Sequence, residues 1–142
     1  MIQNKLYSEI LQEFQLADTR DKKISVLRKY DHPRLRTFFE LVYDNTVVFD
    51  TPVPEYRPAQ EPVGLNWTYL HMEVAKLYRF IKDHPARSNT SEEKRKQLLL
   101  VILESLHKDE AELLLKLFKK DLGIKYLTPN ILKEAYPGIQ ID

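Results

Sequence analysis

The feature that most constrains the fold is the helical spacing of apolar residues through the last third of the chain, residues 90–139. In two successive stretches these residues recur three or four positions apart, which is the period of an α-helix packed against its neighbours. The stretches contain Leu98, Leu99, Val101, Ile102, Leu103 and Leu106, and then Ala111, Leu114, Leu115, Leu117, Phe118 and Leu122. Because only a few residues separate them, we predict two antiparallel helices that form the core.

Local signals predict where these helices begin and end. Thr90 and Asp109 are each followed three residues later by a glutamate, which is the spacing of a capping box, so each is predicted to start a helix. Gly123 is predicted to end the second helix in the left-handed conformation that glycine adopts easily. Thr128, followed by Pro129, predicts the start of a short terminal helix.

Amphipathic patterns predict four further helices, three in the N-terminal part of the chain and one before the two antiparallel helices, which together we call the hairpin. Thr19 and Asp31 are the predicted caps of the second and third of these, and either Asn66 or Thr68 is the predicted cap of the fourth. The predicted fold class is therefore all-α. We expect a single domain over residues 1–142, a compact bundle of about six helices plus a short C-terminal helix.

A Pro-rich crossover at residues 45–65 separates the third helix from the fourth. Its prolines, each of which removes a backbone donor and restricts the preceding residue, are Pro52, Pro54, Pro58 and Pro62. Long segments without regular structure are uncommon inside compact domains and tend to be functional or to wrap the body. Aromatic residues such as Phe49 and Tyr56 favour a packed connector, and an exposed docking segment is the alternative.

Composition narrows the class of protein. With 142 residues, 43% hydrophobic and 30% charged, the chain has the length and composition of one ordinary globular domain. It has no cysteine, which excludes disulfides and thiol chemistry. No apolar run approaches the roughly 20 residues that cross a bilayer, and the first residues lack the zones of a signal peptide. We expect an intracellular protein that does not enter a membrane.

The sequence contains no recognisable catalytic or metal-binding motif. The four histidines stand far apart, and none forms the helical pair of a zinc protease. Three isolated glycines cannot build a phosphate-binding loop, and no serine lies in a nucleophile elbow. Carboxylates cluster at predicted helix starts, where capping and the helix dipole explain them. We therefore predict that the protein is not an enzyme and has no catalytic residues, metal ligands or cofactors.

The net charge of +1 conceals charged blocks. Residues 19–36 hold seven basic and two acidic residues (+5), residues 37–73 one and six (−5), and residues 74–96 seven and three (+4). Blocks of both signs suit a protein partner with complementary patches, although the blocks would also neutralise one another if they met in the fold.

The two basic blocks supply the candidate binding residues. The candidate protein-binding residues are Arg20, Lys22, Lys23, Arg28, Lys29, Arg34 and Arg36. The candidate nucleic-acid-binding residues are Lys76, Arg79, Lys82, Arg87, Lys94, Arg95 and Lys96. A cationic cluster of the second kind holds phosphates, mostly without reading base sequence. The alternative for both sets is a row of solvated side chains on helix faces.

A local resemblance concerns the C-terminal end. The run Leu113–Ile124, the steps Leu127–Ile131 and Ala135–Ile139, and the Asp121-Leu122-Gly123 turn resemble the N-terminal helical DNA-binding domain of ATP-dependent DNA ligases. The Lys-x-Asp-Gly nucleotidyl-transfer motif of those enzymes is absent, because Lys120-Asp121-Leu122-Gly123 has a different order. The resemblance implies shared helical architecture at most, without ligase activity.

A second resemblance covers nearly the whole chain. The residues that carry it are Phe14, Ala17, Arg20, Lys23, Val26, Leu27, Tyr30, the step Pro33–Arg36, the run Tyr78–Pro85 and the Tyr-Leu-Thr…Ala-Tyr-Pro ending. In this pattern the chain resembles small RNA polymerase-binding proteins of large T-even-type tailed phages. The resemblance implies a phage protein that binds host RNA polymerase in the cytoplasm of the infected bacterium.

These observations favour a non-enzymatic phage accessory protein that docks on host RNA polymerase and modulates transcription. The alternative is a module that binds the backbone of duplex DNA through the second basic set, and a structural or assembly protein is a third hypothesis. The expected docking surfaces are the basic face of residues 20–36 and the Pro-rich crossover.

Overall fold

A computed structural model describes residues 5–87 and 89–141, and its regular structure is helical. The helices are α1 (Tyr7–Leu16), α2 (Arg20–Lys29), α3 (Pro33–Tyr43), α4 (Leu70–Glu73), which continues into a 3-10 helix (Val74–Phe80), α5 (Glu92–Ser105), α6 (Lys108–Phe118) and α7 (Pro129–Ala135). Over the described residues the only β-type pairing is an isolated bridge between Phe49 and Ile81. The predicted all-α bundle with a short C-terminal helix is confirmed, and none of the described helices is long and apolar enough to span a membrane.

Helix α6 lies at the centre of the bundle, where it contacts α1, α3, α4 and α5. The predicted C-terminal core is confirmed, because Leu99, Leu103, Leu114 and Leu117 are completely buried. Burying a leucine side chain contributes about 2 kcal/mol, so this leucine-rich centre is a large part of the driving force for folding.

Helix α7 completes the core from the side of α2. Tyr136, directly after α7, is completely buried, and its hydroxyl donates to the carbonyl of Leu27 at 2.8 Å. Burial raises the pKa of this phenol, so it remains a hydrogen-bond donor. The single aromatic residue thereby supplies both apolar contact and a polar link between two helices.

The hairpin helices begin one or more residues from where their capping boxes were predicted. The cap of α5 is Ser91, whose hydroxyl accepts from the N–H of Lys94 at 3.1 Å. The cap of α6 is His107, whose Nδ1 accepts from the N–H of Asp109 at 3.1 Å. The predictions for Thr90 and Asp109 are therefore wrong. Asp109 lies inside the first turn, where its charge still interacts favourably with the helix dipole.

The prediction that Gly123 ends α6 is also wrong. The helix ends at Phe118, and the left-handed residue after it is Lys120, with φ of 61°. The N–H groups of Asp121 and Lys120 donate to the carbonyls of Lys116 and Leu117, which is the pattern of a Schellman motif. The Lys120 ammonium donates to the carbonyl of Asp44 at 2.7 Å, so a tertiary contact stabilises a conformation that lysine rarely adopts.

Two of the four remaining cap predictions are confirmed. The hydroxyls of Thr19 and Thr128 accept from the first-turn N–H groups of α2 and α7. Helix α3 is instead capped by His32, and the Asp31 carboxylate forms two hydrogen bonds to the Arg36 guanidinium, at 2.7 and 2.8 Å. Asp31 fails as a cap because the arginine engages both of its oxygens.

The fourth predicted helix is shorter and more irregular than its pattern suggests. Neither Asn66 nor Thr68 caps it, since Tyr69 precedes α4 without a side-chain hydrogen bond and the Thr68 hydroxyl donates to Glu73 at 2.7 Å. After one α-helical turn the backbone tightens into the 3-10 helix. A distant carboxylate, Glu110, accepts from the first N–H of α4 instead of a local cap.

Candidate binding surfaces

A buried carboxylate fixes the positions of two helix starts. Glu110 of α6 is completely buried, and its two oxygens accept from the N–H of Tyr7 at 3.0 Å and from the N–H of Leu70 at 2.9 Å. Both donors are first residues of their helices, which have no intrahelical partner for these groups. Burial raises the pKa of Glu110, and the two backbone hydrogen bonds oppose that shift. The starts of α1 and α4 are thus held beside each other.

An open groove of about 830 Å³ lies at this junction, and we call it the cationic groove. Its lining residues come from the start of α1, the α2–α3 junction and α4: Lys5, Tyr7, Ile10, Lys29, Tyr30, Asp31, His32, Arg34, Leu35 and His71. Three lysine or arginine side chains and two histidines thus surround a wall of tyrosine, isoleucine and leucine. The volume lies in the range of pockets that bind ligands.

Positive charge in the cationic groove is only partly neutralised. Within the described part of the chain, Arg34 has no carboxylate within ion-pairing distance. Burial lowers the pKa of His71, and the positive charges of Arg34 and His32, which line the same groove, lower it further. The one acidic lining residue, Asp31, is engaged by Arg36. The groove therefore presents a net cationic surface.

Most of the candidate protein-binding residues fasten helices together. Arg20 pairs with the carboxylate of Glu134 and Arg28 donates to its carbonyl at 3.0 Å, so both link α2 to α7. The expectation that Lys23 is displayed on the surface is wrong. Its side chain is buried over the Phe14 ring, and its ammonium donates to the carbonyl of that residue at 2.9 Å.

The other members of this set are divided between tethers and the groove. Lys22 pairs with Asp18 at 3.0 Å, and Arg36 donates to the carbonyl of Pro137 at 3.1 Å in addition to its pairing with Asp31. Lys29 and Arg34 are the two members that line the cationic groove. Lys29 is 3.4 Å from Glu13, so Arg34 is the cation of this set with the greatest freedom to meet a ligand.

The candidate nucleic-acid-binding residues are also divided. Arg95 is buried and donates to the carbonyl of Thr90, so its expected place in an exposed patch is wrong. Arg87 pairs with Asp50 at 2.9 Å and donates to the carbonyl of Ile81. Arg79 lies over the ring of Phe80. The members that remain available are Lys76, Lys82 and Lys94, which are exposed, and Lys96, which is half-buried.

The irregular segment between α3 and α4 spans residues 44–69 and is here called the α3–α4 connection. Its first half packs on the body, as the packed-connector interpretation expects: the Phe49 ring stacks on Phe118 at 4.5 Å, and Thr51 and Pro54 are buried. Its second half is exposed, with Leu65 at 68% and Trp67 at 88% exposure.

Backbone contacts hold this exposed half in place. The N–H of Arg57 donates to the Glu104 carboxylate at 2.8 Å, and the N–H of Thr68 donates to the carbonyl of Ser105 at 3.2 Å. Both acceptors are at the C-terminal end of α5. The backbone that carries the exposed apolar side chains is therefore anchored near both of its ends.

Sequence reasoning missed three of these residues. Glu110 stands in an acidic helix start, where capping explained it, and its two distant donors have no local signal. His71 was set aside as an isolated histidine. Trp67 is the only tryptophan of the chain and could have been noted, because its neighbours Asn66 and Thr68 are polar and give it no amphipathic partner.

Fold and surfaces together define a small all-α protein with an exposed apolar connection and a cationic groove. Among the described residues, no group of three or more histidines, aspartates or glutamates is placed to hold a metal ion. The chain belongs to a family of unknown function, DUF6433, whose sequence model matches residues 10–124. No curated protein and no solved structure matches the chain significantly.

Proposed function

We propose that this protein is a non-enzymatic phage accessory protein that docks on host RNA polymerase and modulates transcription in the cytoplasm of the infected bacterium. The partner is suggested by the resemblance, over nearly the whole chain, to small polymerase-binding proteins of T-even-type phages. The mode of action, docking through a surface, is suggested by the structure of the α3–α4 connection.

The observation that carries the docking proposal is the exposure of Trp67. A tryptophan with 88% of its surface in water contributes nothing appreciable to the core, and tryptophan is the residue type most enriched among the energetic centres of protein interfaces. Leu65 and Val63 are exposed in the same half of the connection. Several apolar side chains exposed together on one segment are typical of an interaction site.

The anchored backbone strengthens this proposal. Because hydrogen bonds to Glu104 and Ser105 hold the two ends of the exposed half, less of its backbone has to be ordered on binding. The exposed Glu61 lies two residues before the apolar strip and favours a partner surface with complementary basic residues.

The test is capture of purified host RNA polymerase by the immobilised protein and by two variants. Trp67→Ala removes the proposed anchor, and we expect capture to fall at least tenfold, which corresponds to about 1.4 kcal/mol. Leu16→Ala is the matched control, since Leu16 is 76% exposed at the end of α1, away from the connection. Equal capture by the wild type and both variants would exclude the connection as the docking surface, and no capture by any of the three would exclude the polymerase as partner.

The alternative, binding to the backbone of duplex DNA, is favoured by one observation. Lys76, Lys82 and Lys94 are exposed, and no ion pair ties them to carboxylates in the described residues. Their simultaneous replacement by glutamate should abolish duplex binding and its salt dependence. The matched control replaces Lys108, Lys125 and Lys133, which are equally exposed elsewhere. If both triple variants weaken binding equally, the attraction is general and the patch has no special role.

A further inference from the structure

We propose that the cationic groove is a second binding site, which takes an acidic segment of a protein partner and pairs its carboxylates with Arg34 and His71. None of the lining residues belongs to the α3–α4 connection, so this site is separate from the proposed polymerase-docking surface. It is built by α1, the α2–α3 junction and α4.

The first argument is the crowding of positive groups. His32, Arg34 and His71 line the same groove, where burial lowers the pKa of His71 and the positive charges of Arg34 and His32 lower it further. Arg34 meets no carboxylate among the described residues, although the arginines around it, Arg28 and Arg36, both have intramolecular partners. A carboxylate that enters the groove would supply the partner that Arg34 lacks, in the two-pronged geometry that guanidinium groups favour.

The second argument is the rigidity of the groove. Glu110 fixes the backbone of Tyr7 and the start of α4 from beneath. The Tyr7 ring packs edge-on against Phe38 at 5.4 Å, and the His71 ring stacks on Tyr69 at 5.5 Å. These contacts hold the walls before any ligand arrives, which reduces the entropy cost of binding.

The third argument concerns which anion fits. Ile10, Leu35 and the tyrosines give the groove an apolar wall, which suits a peptide that carries an apolar side chain among its carboxylates. The carboxylates of Glu13 and Asp31 lie at the α2 side, where they bond to Tyr30 and Arg36. They would repel the evenly spaced charges of a nucleic-acid backbone, whereas an acidic peptide places its charges at a few positions. We therefore infer a protein segment and not a nucleic acid.

The inference is tested with the full chain and a fluorescent synthetic peptide that carries two glutamates beside a leucine in an otherwise uncharged sequence. A peptide with glutamine in place of every glutamate is the ligand control. Binding should be lost with the glutamine peptide and should weaken at least tenfold in Arg34→Gln, because the charge-assisted hydrogen bonds of the guanidinium are removed. Arg57→Gln, which removes an equally exposed arginine from the connection, should bind as the wild type does.

A spectroscopic readout separates direct pairing from a general charge effect. On peptide binding, the pKa of His71, followed by nuclear magnetic resonance, should rise, because a carboxylate then offsets the positive charges of Arg34 and His32 that lower it in the free protein. Tyr7 and Tyr69 are the other groups that face this ring. An unchanged His71 pKa, an equal loss in Arg34→Gln and Arg57→Gln, or displacement of the peptide by a lower concentration of an oligonucleotide would each overturn the proposal.

Discussion

The surface of α2 and the second half of the α3–α4 connection differ in opposite ways. The first has charged side chains that are held by intramolecular contacts, and the second has exposed apolar side chains. On α2, Arg20 and Arg28 are charged and solvated in part, yet both are tied to α7. On the connection, Leu65 and Trp67 are apolar and exposed, although hydrogen bonds anchor the backbone that carries them. This contrast shows that the charge on a helix face does not indicate which side chains are available to a partner. Availability depends on which intramolecular acceptors lie within reach.

The largest expected effect tests whether buried polar groups are structural. Glu110→Ala removes the acceptor for two helix-start N–H groups and leaves both buried. We expect the free energy of unfolding to fall by about 3 kcal/mol, measured by denaturant titration. Glu112→Ala on the same helix is the control, and because that side chain is exposed it should change the value by less than about 0.5 kcal/mol. Equal effects would mean that Glu110 does not join α1 and α4.

A smaller effect is expected at the buried lysine of α2. Lys23→Ala removes the hydrogen bond to the carbonyl of Phe14 and the contact with its ring, at the end of α1. We expect a loss of about 1–2 kcal/mol in the free energy of unfolding. The neighbouring Lys22→Ala removes an exposed lysine that pairs with Asp18 and should have almost no effect. If the two variants lose the same stability, the lysines of α2 do not differ in role.

A pH dependence should follow from Glu110. Its pKa is raised in the folded protein because burial disfavours the carboxylate, so the folded state holds a proton that the unfolded state releases. The stability that this proton contributes is fully present below the pKa of the unfolded chain, near 4.5, and is lost as pH rises through the folded pKa. The wild type should therefore lose stability relative to Glu110→Gln as pH rises from about 4.5. A wild type that gains stability relative to the variant over this range would contradict the assignment.

The smallest expected effect concerns the exposed half of the connection. Trp67→Ala should leave the free energy of unfolding within about 0.5 kcal/mol of the wild type, because the ring has 88% of its surface in water. The same variant should lose polymerase capture, so binding and stability separate at this position. A loss of more than about 2 kcal/mol in stability would show that the ring is packed and would remove it as a docking anchor.

The helical class and the leucine-rich core could be predicted from the sequence, because apolar spacing is a local signal that burial of Leu99, Leu103 and Leu114 confirms. Thr19 and Thr128 were also predictable, since a cap is made within three residues. Pairings between distant residues were not. Glu110 accepts hydrogen bonds from the N–H groups of Tyr7 and Leu70, and the residues around these three positions contain no pattern that predicts the pairing.

The candidate surfaces were predicted only in part for the same reason. Lys29 and Arg34 belong to the predicted basic face and line the cationic groove. Lys23 and Arg95 look like surface cations in the sequence, but in the fold both side chains are buried and donate to the carbonyls of Phe14 and Thr90. Trp67 is exposed because the large apolar side chains in the second half of the connection do not pack against the helices. The proline and aromatic content of the connection does not predict which half packs.

The most direct test of the central claim is photo-crosslinking from position 67. A benzophenone amino acid replaces Trp67 in the full chain, and the protein is irradiated with purified host RNA polymerase. The same amino acid at the exposed Leu16 is the control. If the connection is the docking surface, position 67 becomes bonded to a polymerase subunit and position 16 does not. Crosslinking from position 16 alone, or from neither position while the protein binds the polymerase, would contradict it.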